Sequence, residues 1–337
     1  MVSADQRRIF VTGGAGFIGS HLVDRLLAEN HRVVVLENFN EFYSPDVKRA
    51  NLYSHMNNPL FTLEEGDIRK RDDVKRAFAH GPFDVVVHLA AMAGVRPSLE
   101  NAALYTDVNV LGTQRVVDEL LASSRGARLV FGSSSSVYGA RSGECFTETD
   151  RIDQPLSPYA ASKAANEAQL YAIHHTTGLE VVCLRFFTVF GPRQRPDLAI
   201  HKFCRSIDRG DSIEVFGDGK SKRDYTYVAD IVSGIRSAME FPLSGGFEII
   251  NLGRAEPVLL IDMITSLEKA LDKKANIIHK PTQIGDMPYT FANIEKARRL
   301  LNYNPSTSLE EGIAKFVEWY KLEDKSAPIL RRLTLGT

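Results

Sequence analysis

Residues 11–21 read VTGGAGFIGSH. Three glycines, Gly13, Gly16 and Gly19, stand three apart, with Phe17 and Ile18 between the last two. The residues just before them, 8–12, form an apolar strand-like run, and residues 16–29 carry helical spacing. A glycine-rich turn between a strand and a helix suits a dinucleotide. Glycine permits the tight turn, lets the backbone approach a pyrophosphate and brings helix and strand close. The helix start then offers free N–H groups and partial positive charge to the phosphates.

A glycine triplet alone is a weak signal, so its surroundings decide. The next apolar run, RVVVLE at 32–37, ends on Glu37, followed by Asn38. A carboxylate there accepts from the adenosine ribose hydroxyls and repels a 2′-phosphate, which favours NAD over NADP. Asp67 and Ile68 follow the run 61–65 and border the expected adenine site, where Asp67 also reads as a helix cap. The run 84–89 ends in Leu89, Ala90 and Ala91, small enough for a dinucleotide to lie against the sheet edge. Further runs at 129–134 and 179–186 alternate with helical patterns at 71–80, 106–123 and 158–177. Continuous β-branched runs separated by helices predict an α/β fold, a Rossmann-type doubly wound parallel sheet covered on both faces. We expect residues 1–186 to form the NAD-binding domain. Residues 187–322 should form mainly a smaller α/β substrate lobe, some of whose strands return to the main sheet. Residues 323–337 lack clear periodicity and read as a peripheral tail.

The bulk properties exclude other classes. The chain has 337 residues, is 44% apolar and 25% charged, and carries a net charge of −1. Such a balance attracts neither nucleic acid nor an acidic membrane surface, so an anionic ligand needs local cations. Cys145, Cys183 and Cys204 are widely spaced, without a CxxC or Cys/His cluster, so no metal site and no disulfide framework is expected. No signal-peptide pattern and no 18-residue apolar run occurs, which predicts a cytoplasmic protein without a membrane partner.

The chemistry concentrates in SPYAASKAANE, where Tyr159 and Lys163 stand at i and i+4, on one face of a helix. A phenol is a poor base at its ordinary pKa near ~10, and a neighbouring ammonium favours the phenolate. Upstream, GSSSSVYG places Ser133, Ser134, Ser135 and Ser136 at the end of a strand, with Ser134 25 residues before Tyr159.

GGAGFIGSH, SSSSVYG and PYAASK together resemble the extended short-chain dehydrogenase/reductases. LRFFTVFGPRQRPDLA, IEVFGDGKSKRDYTYV and the late GDMP extend the likeness over nearly the whole chain, which most resembles the UDP-glucuronate 4-epimerases. The resemblance implies a catalytic triad of Ser134, Tyr159 and Lys163, with NAD as cofactor and a UDP-sugar as substrate. Lys163 would also hold the nicotinamide ribose. It implies diphosphate clamps at Arg96 and Arg223, whose planar forks suit phosphate oxygens. It puts Asp286 of GDMP near the uridine ribose and Val215 against the uracil, although Val215 reads equally well as a core strand residue. Ser134, Ser135, Ser136 and Thr188, with Arg195 adding positive charge, match the family's pocket for the sugar carboxylate. The family's habit of pairing through two helices implies a homodimer, here through residues 101–123 and 158–177.

Two sister reactions are disfavoured. Related decarboxylases carry a glutamate at the position of Ser136, and related dehydratases an Asp-Glu pair at Ser135 and Ser136; this chain has neither. Glu37 and Asn293 stand where many members have Asp. UDP-glucose or UDP-N-acetylglucosamine 4-epimerisation stays open as an alternative, and a non-catalytic NAD-binding regulator as a remote one.

Overall fold

A computed structural model describes residues 6–140, 145–281 and 289–334, with side chains through residue 322. Strands β1 (Arg8–Thr12), β2 (Arg32–Glu37), β3 (Phe61–Glu65), β4 (Val85–His88), β5 (Arg128–Ser134) and β6 (Val181–Phe186) follow in turn along the first half. They are followed by β7 (Thr188–Phe190), β8 (Ser212–Phe216), β9 (Lys222–Tyr227), β10 (Phe247–Leu252), β11 (Pro257–Leu259) and β12 (Asn276–Lys280). Seven of these make one sheet in the order β10-β6-β5-β4-β1-β2-β3, and every pairing in it is parallel.

Alternation explains why both faces are covered. On β1, Ile9 and Val11 join one core and Phe10 the other. The first core adds Val33, Val35, Val85, Val87, Val130 and Leu184 from the sheet, packed by Leu22 and Leu26 of the Phe17–Ala28 helix and by Ile231 and Ile235 of the Val228–Ala238 helix. The second adds Val34, Leu36, Val86, Leu129 and Phe131 under Val74, Phe78, Val116, Val117 and Leu170. Burying each such side chain contributes about 1.5–3 kcal/mol, so a sheet apolar on both faces must sit between two helix layers.

The sheet takes its edge strand, β10, from beyond residue 187, and β10 runs parallel to β6 from Phe247↔Val181 to Leu252↔Phe186. The remaining strands form a three-stranded sheet, β11-β9-β7, and a β12-β8 pair. The Pro45–Leu52 helix, β9 and β10 are elements that the hydrophobic pattern does not mark. The 106–123 helix differs from a plain α-helix: Thr106–Gly112 is a π-helix and Thr113–Ser123 is α-helical. The last helix, Leu309–Thr334, runs into the stretch from residue 323 that lacks clear periodicity. Extending a helix that is already nucleated and packed needs only one fixed residue per added bond. Among the described residues no helix is long and apolar enough to cross a membrane.

The strand order reverses between β1 and β4, and a crevice forms at such a switch, beyond the carboxyl ends of the strands. Here it opens into a cleft of about 780 Å³ between the sheet and the segments that follow β6.

Candidate active site

The glycine turn forms one wall. Gly13 has φ +71, and a Cβ there would stand 2.8 Å from the Ala90 backbone nitrogen, so only glycine lets β1 pass this close to the end of β4. A Cβ on Gly19 would lie 2.2 Å from the Gly13 carbonyl. The Phe17–Ala28 helix has Gly16 as its N-cap, with no side-chain cap, which leaves its first N–H groups available for an anion. Gly13, Gly16, Phe17, Ile18, Gly19, Leu89, Ala90 and Ala91 all line the cleft.

Glu37 and Asn38 line it as well. Glu37 is buried and accepts from the Ala15 and Phe39 amides at 3.3 and 3.1 Å. Burial pushes its carboxyl up, offset in part by Lys48 and the amides. Asp67 is occupied differently. Burial would raise its carboxyl, but the side chain and amide of Arg69, with Asn38, outweigh this and hold it at about 2. Ile68 and Arg69 face the cleft, whereas the Asp67 oxygens point into this Arg69–Asn38 cluster. The Tyr43 hydroxyl is buried in the same wall without a partner among the described residues. The uncapped helix start, the glycine gap and this orphaned hydroxyl fit a dinucleotide.

Beneath this wall a relay of hydroxyls fixes the end of β4. The Ala90 amide donates to Thr12 Oγ1 at 3.1 Å, and Thr12 Oγ1 meets His88 Nδ1 at 2.6 Å. His88 Nε2 meets Thr113 Oγ1 at 2.9 Å, and Thr113 donates to the Asn109 carbonyl at 2.5 Å. The donor count assigns the His88 proton to Nε2. Burial holds His88 neutral, with its pKa lowered to about 3.

Tyr159 and Lys163 project from the Pro158–Thr177 helix into the cleft, beside Ser134 at the end of β5. Burial pushes the Tyr159 phenol above its ordinary value, and a hydrogen bond with Ser134 and the charge of Arg195 pull the other way. Lys163 Nζ donates to the Gly132 carbonyl at 2.6 Å and lies 4.6 Å from the Phe131 ring centroid. Burial brings the Lys163 pKa down to about 8.

The four serines diverge. Ser133 donates to buried Glu167 at 2.5 Å and belongs to the structural support. Ser134 accepts from the Ser136 amide and hydroxyl at 3.2 and 2.9 Å, and Ser134, Ser135 and Ser136 all line the cleft. Thr188 enters from β7, while Arg195 comes from the loop after it, its guanidinium forked onto Asp197 at 3.0 and 2.8 Å. Arg96 and Arg223 line the far end, with Arg96 over the Phe216 ring at 5.2 Å.

Val215 does not line the cleft. Its side chain is buried in the core on β8, and its neighbours Glu214 and Phe216 face the cavity instead. On a strand, a shift of one residue moves the side chain to the opposite face. Asp286 lies outside the described residues.

Several supporting residues escape sequence reasoning. Arg185 and Glu167 form a buried two-pronged ion pair at 3.0 and 2.7 Å, with Arg185 stacked 4.7 Å over the Tyr138 ring. The π-turn at 106–112 frees the Asn109 carbonyl for Asn166 and Thr113. The Asn109 amide meanwhile ties Met92 of the cleft floor to Ser162 on the Tyr159 helix. A π-turn often marks a functional site, but nothing in TDVNVLG announces one.

Known proteins resemble this chain over most of its length. A UDP-glucuronate 4-epimerase of Thermodesulfobacterium geofontis is 39% identical over 92% of this chain and 95% of its own length. One from Arabidopsis thaliana is 40% identical, covering 93% of this chain and 76% of the plant protein. The Bacillus cereus UDP-glucuronic acid 4-epimerase, solved with UDP-glucuronic acid and NAD, superposes with a TM-score of 0.88 at 35% identity, covering 94% of this chain and 99% of that one. Residues 9–253 match the sequence profile of the NAD dependent epimerase/dehydratase family, and the chain belongs to that family.

Proposed function

We propose that the protein epimerises carbon 4 of a UDP-sugar, converting UDP-glucuronate to UDP-galacturonate through a transient 4-keto sugar. The observation that carries the choice of sugar is Arg195, a cation only 15% exposed and near enough for its charge to act on the Tyr159 phenol. Such a cation beside the reacting carbon suits a substrate with a carboxylate on the adjacent ring carbon. The hydroxyls of Ser134, Ser135, Ser136 and Thr188 share that cleft. Similarity to epimerases named for UDP-glucuronate supports the same reading.

NAD, when bound, accepts the carbon-4 hydrogen and returns it. Tyr159, as phenolate, takes the proton of the 4-hydroxyl, directly or through Ser134, and gives it back after the keto sugar has turned over. Ser134 and Arg195 favour the phenolate against the burial that opposes it. Lys163, near 8, can carry a proton close to neutrality. Glu37 and the glycine turn seat the cofactor, and Arg96 and Arg223 hold the substrate diphosphate.

Incubation with UDP-glucuronate, UDP-glucose and UDP-N-acetylglucosamine, followed by chromatography, tests the assignment. UDP-galacturonate is the expected product. Turnover of UDP-glucose with inert UDP-glucuronate would reassign the site to a neutral sugar.

The protein works as a homodimer paired through residues 101–123 and 158–177, where Leu111 and Tyr171 are 49% and 56% exposed. Light scattering at the monomer mass would rule this out. Three free cysteines fit the reducing cytoplasm.

A further inference from the structure

Loop 38–44 leaves the cofactor wall and crosses to the sugar side of the cleft. It is pinned at each step. The Asn40 amide donates to Asn38 Oδ1 at 3.0 Å and the Phe42 amide to Asn40 Oδ1 at 2.8 Å. Lys48 Nζ donates to the Asn40 carbonyl at 2.5 Å and lies 4.7 Å from the Tyr43 ring centroid. The loop thereby presents the Phe42 ring 5.1 Å from the Arg195 guanidinium. Asp197 engages Nε and Nη2 of the same group, and Nη1 makes no hydrogen bond among the described residues. Gly94 stands on another side, where a Cβ would come within 3.8 Å of Nη2.

We infer that Phe42 is a positioning residue that fixes the plane of Arg195 and so decides whether the reaction ends in epimerisation or in loss of carbon dioxide. The inference rests on the glucuronate reading above. Oxidation at carbon 4 makes the substrate a β-keto acid. If its C5–C6 bond aligns with the carbonyl π system, that bond breaks, carbon dioxide leaves, and the bonding pair forms an enolate that is protonated at carbon 5. The product is a UDP-4-keto-pentose, and the two electrons removed from carbon 4 stay on the nicotinamide. An arginine with an aromatic ring at its guanidinium carbon and a carboxylate fork at its edge keeps its remaining donors in one orientation, and so holds the substrate carboxylate out of alignment. Asp197 alone fixes the edge of the guanidinium but leaves its face uncovered. The aromatic ring supplies that face, and it comes from a loop anchored at the cofactor seat.

The test uses the NAD-loaded protein with UDP-glucuronate. Mass spectrometry measures the ratio of UDP-4-keto-pentose to UDP-galacturonate, and absorbance follows reduced nicotinamide left on the protein. Phe42→Leu, which fills the space without a π face, should raise the ratio about tenfold, with matching reduced nicotinamide. Phe42→Tyr, which restores the face, should return it to the parent value. An unchanged ratio in Phe42→Leu, whatever its rate, would overturn the inference, and so would an equal rise in Phe42→Tyr. Phe42→Met serves the same purpose should the leucine variant fail to fold. The parent protein separates the two claims. If it leaves UDP-glucuronate untouched, the functional assignment falls; if it forms UDP-galacturonate while Phe42→Leu keeps the parent ratio, only the role of Phe42 falls.

Discussion

The two walls of the cleft are built by different means. The centre of the cofactor wall is one contiguous piece of chain, β1, turn and helix, whose working parts are backbone amides and missing side chains at Gly13 and Gly19, with Glu37, Asn38 and Tyr43 added at its side. The opposite wall is assembled from side chains delivered by separate elements: Ser134 at the end of β5, Tyr159 and Lys163 on a helix, Thr188 on β7, Arg195 on the following loop, and Phe42 from across the cleft. A wall made of backbone is defined by what cannot be added to it. A wall made of side chains is defined by what cannot be removed.

Substitutions on each side should therefore fail differently. The largest effect is expected from Tyr159→Phe, which deletes one oxygen: kcat should fall by about 10²–10⁴-fold with folding and NAD retention intact. Full turnover in that variant would mean that another group takes the proton and would remove Tyr159 from the chemistry. Next comes Glu167→Gln, behind the same wall, which leaves the Arg185 charge buried without its carboxylate. Denaturant unfolding should show a loss of about 3–5 kcal/mol. A smaller loss would mean that Tyr138 or water compensates the guanidinium.

On the backbone side, Gly19→Ala forces a methyl group against the Gly13 carbonyl. It should cost about 1–3 kcal/mol in stability and lower NAD content, while the NAD-loaded fraction keeps its kcat. A reduced kcat in that fraction would show that the walls are not separable in function.

The smallest effect is a pH dependence. His88 is held neutral in the folded protein, with a pKa of about 3. The unfolded chain binds a proton below ~6.5 that the folded one refuses, so stability is flat above that pH and declines as pH falls towards 3. The slope from this residue is about 1.4 kcal/mol per pH unit. Urea midpoints at pH 7 and pH 5.5 should differ in that direction, and His88→Gln should lessen the difference, to which His21, His31 and His201, also lowered by burial, contribute with the same sign.

The same contrast explains what was legible in the sequence. The glycine turn, Glu37 and the Tyr159/Lys163 pair are local patterns, and β1, β2, β3 and the Pro158–Thr177 helix begin and end where their periodicity says. Side chains that act through distant partners leave no such trace. Asp197 reads as a surface carboxylate until Arg195 is seen beside it, and Phe42 as a loop aromatic until it meets a guanidinium from another lobe. Glu167 and Arg185 are remote in sequence until β6 lies beside the helix. Val215 reads either as a core residue or as a uracil contact until the structure buries it, because neither composition nor family likeness sets a strand's phase, which depends on what packs beneath it. Spacing puts Lys163 on the helix face of Tyr159, but only the rotamer says which atom its ammonium meets, and here that atom is the Gly132 carbonyl oxygen.

The placement of β10 carries a consequence for how the chain comes to be folded. Its partner β6 ends at residue 186, yet β10 begins only at residue 247. A ribosome must therefore release some sixty further residues before the sheet can acquire its last strand, and until then β6 presents bare amides and carbonyls to its surroundings. A polypeptide cut after residue 187 would be trapped permanently in that vulnerable stage, so the dinucleotide half should aggregate when synthesised alone.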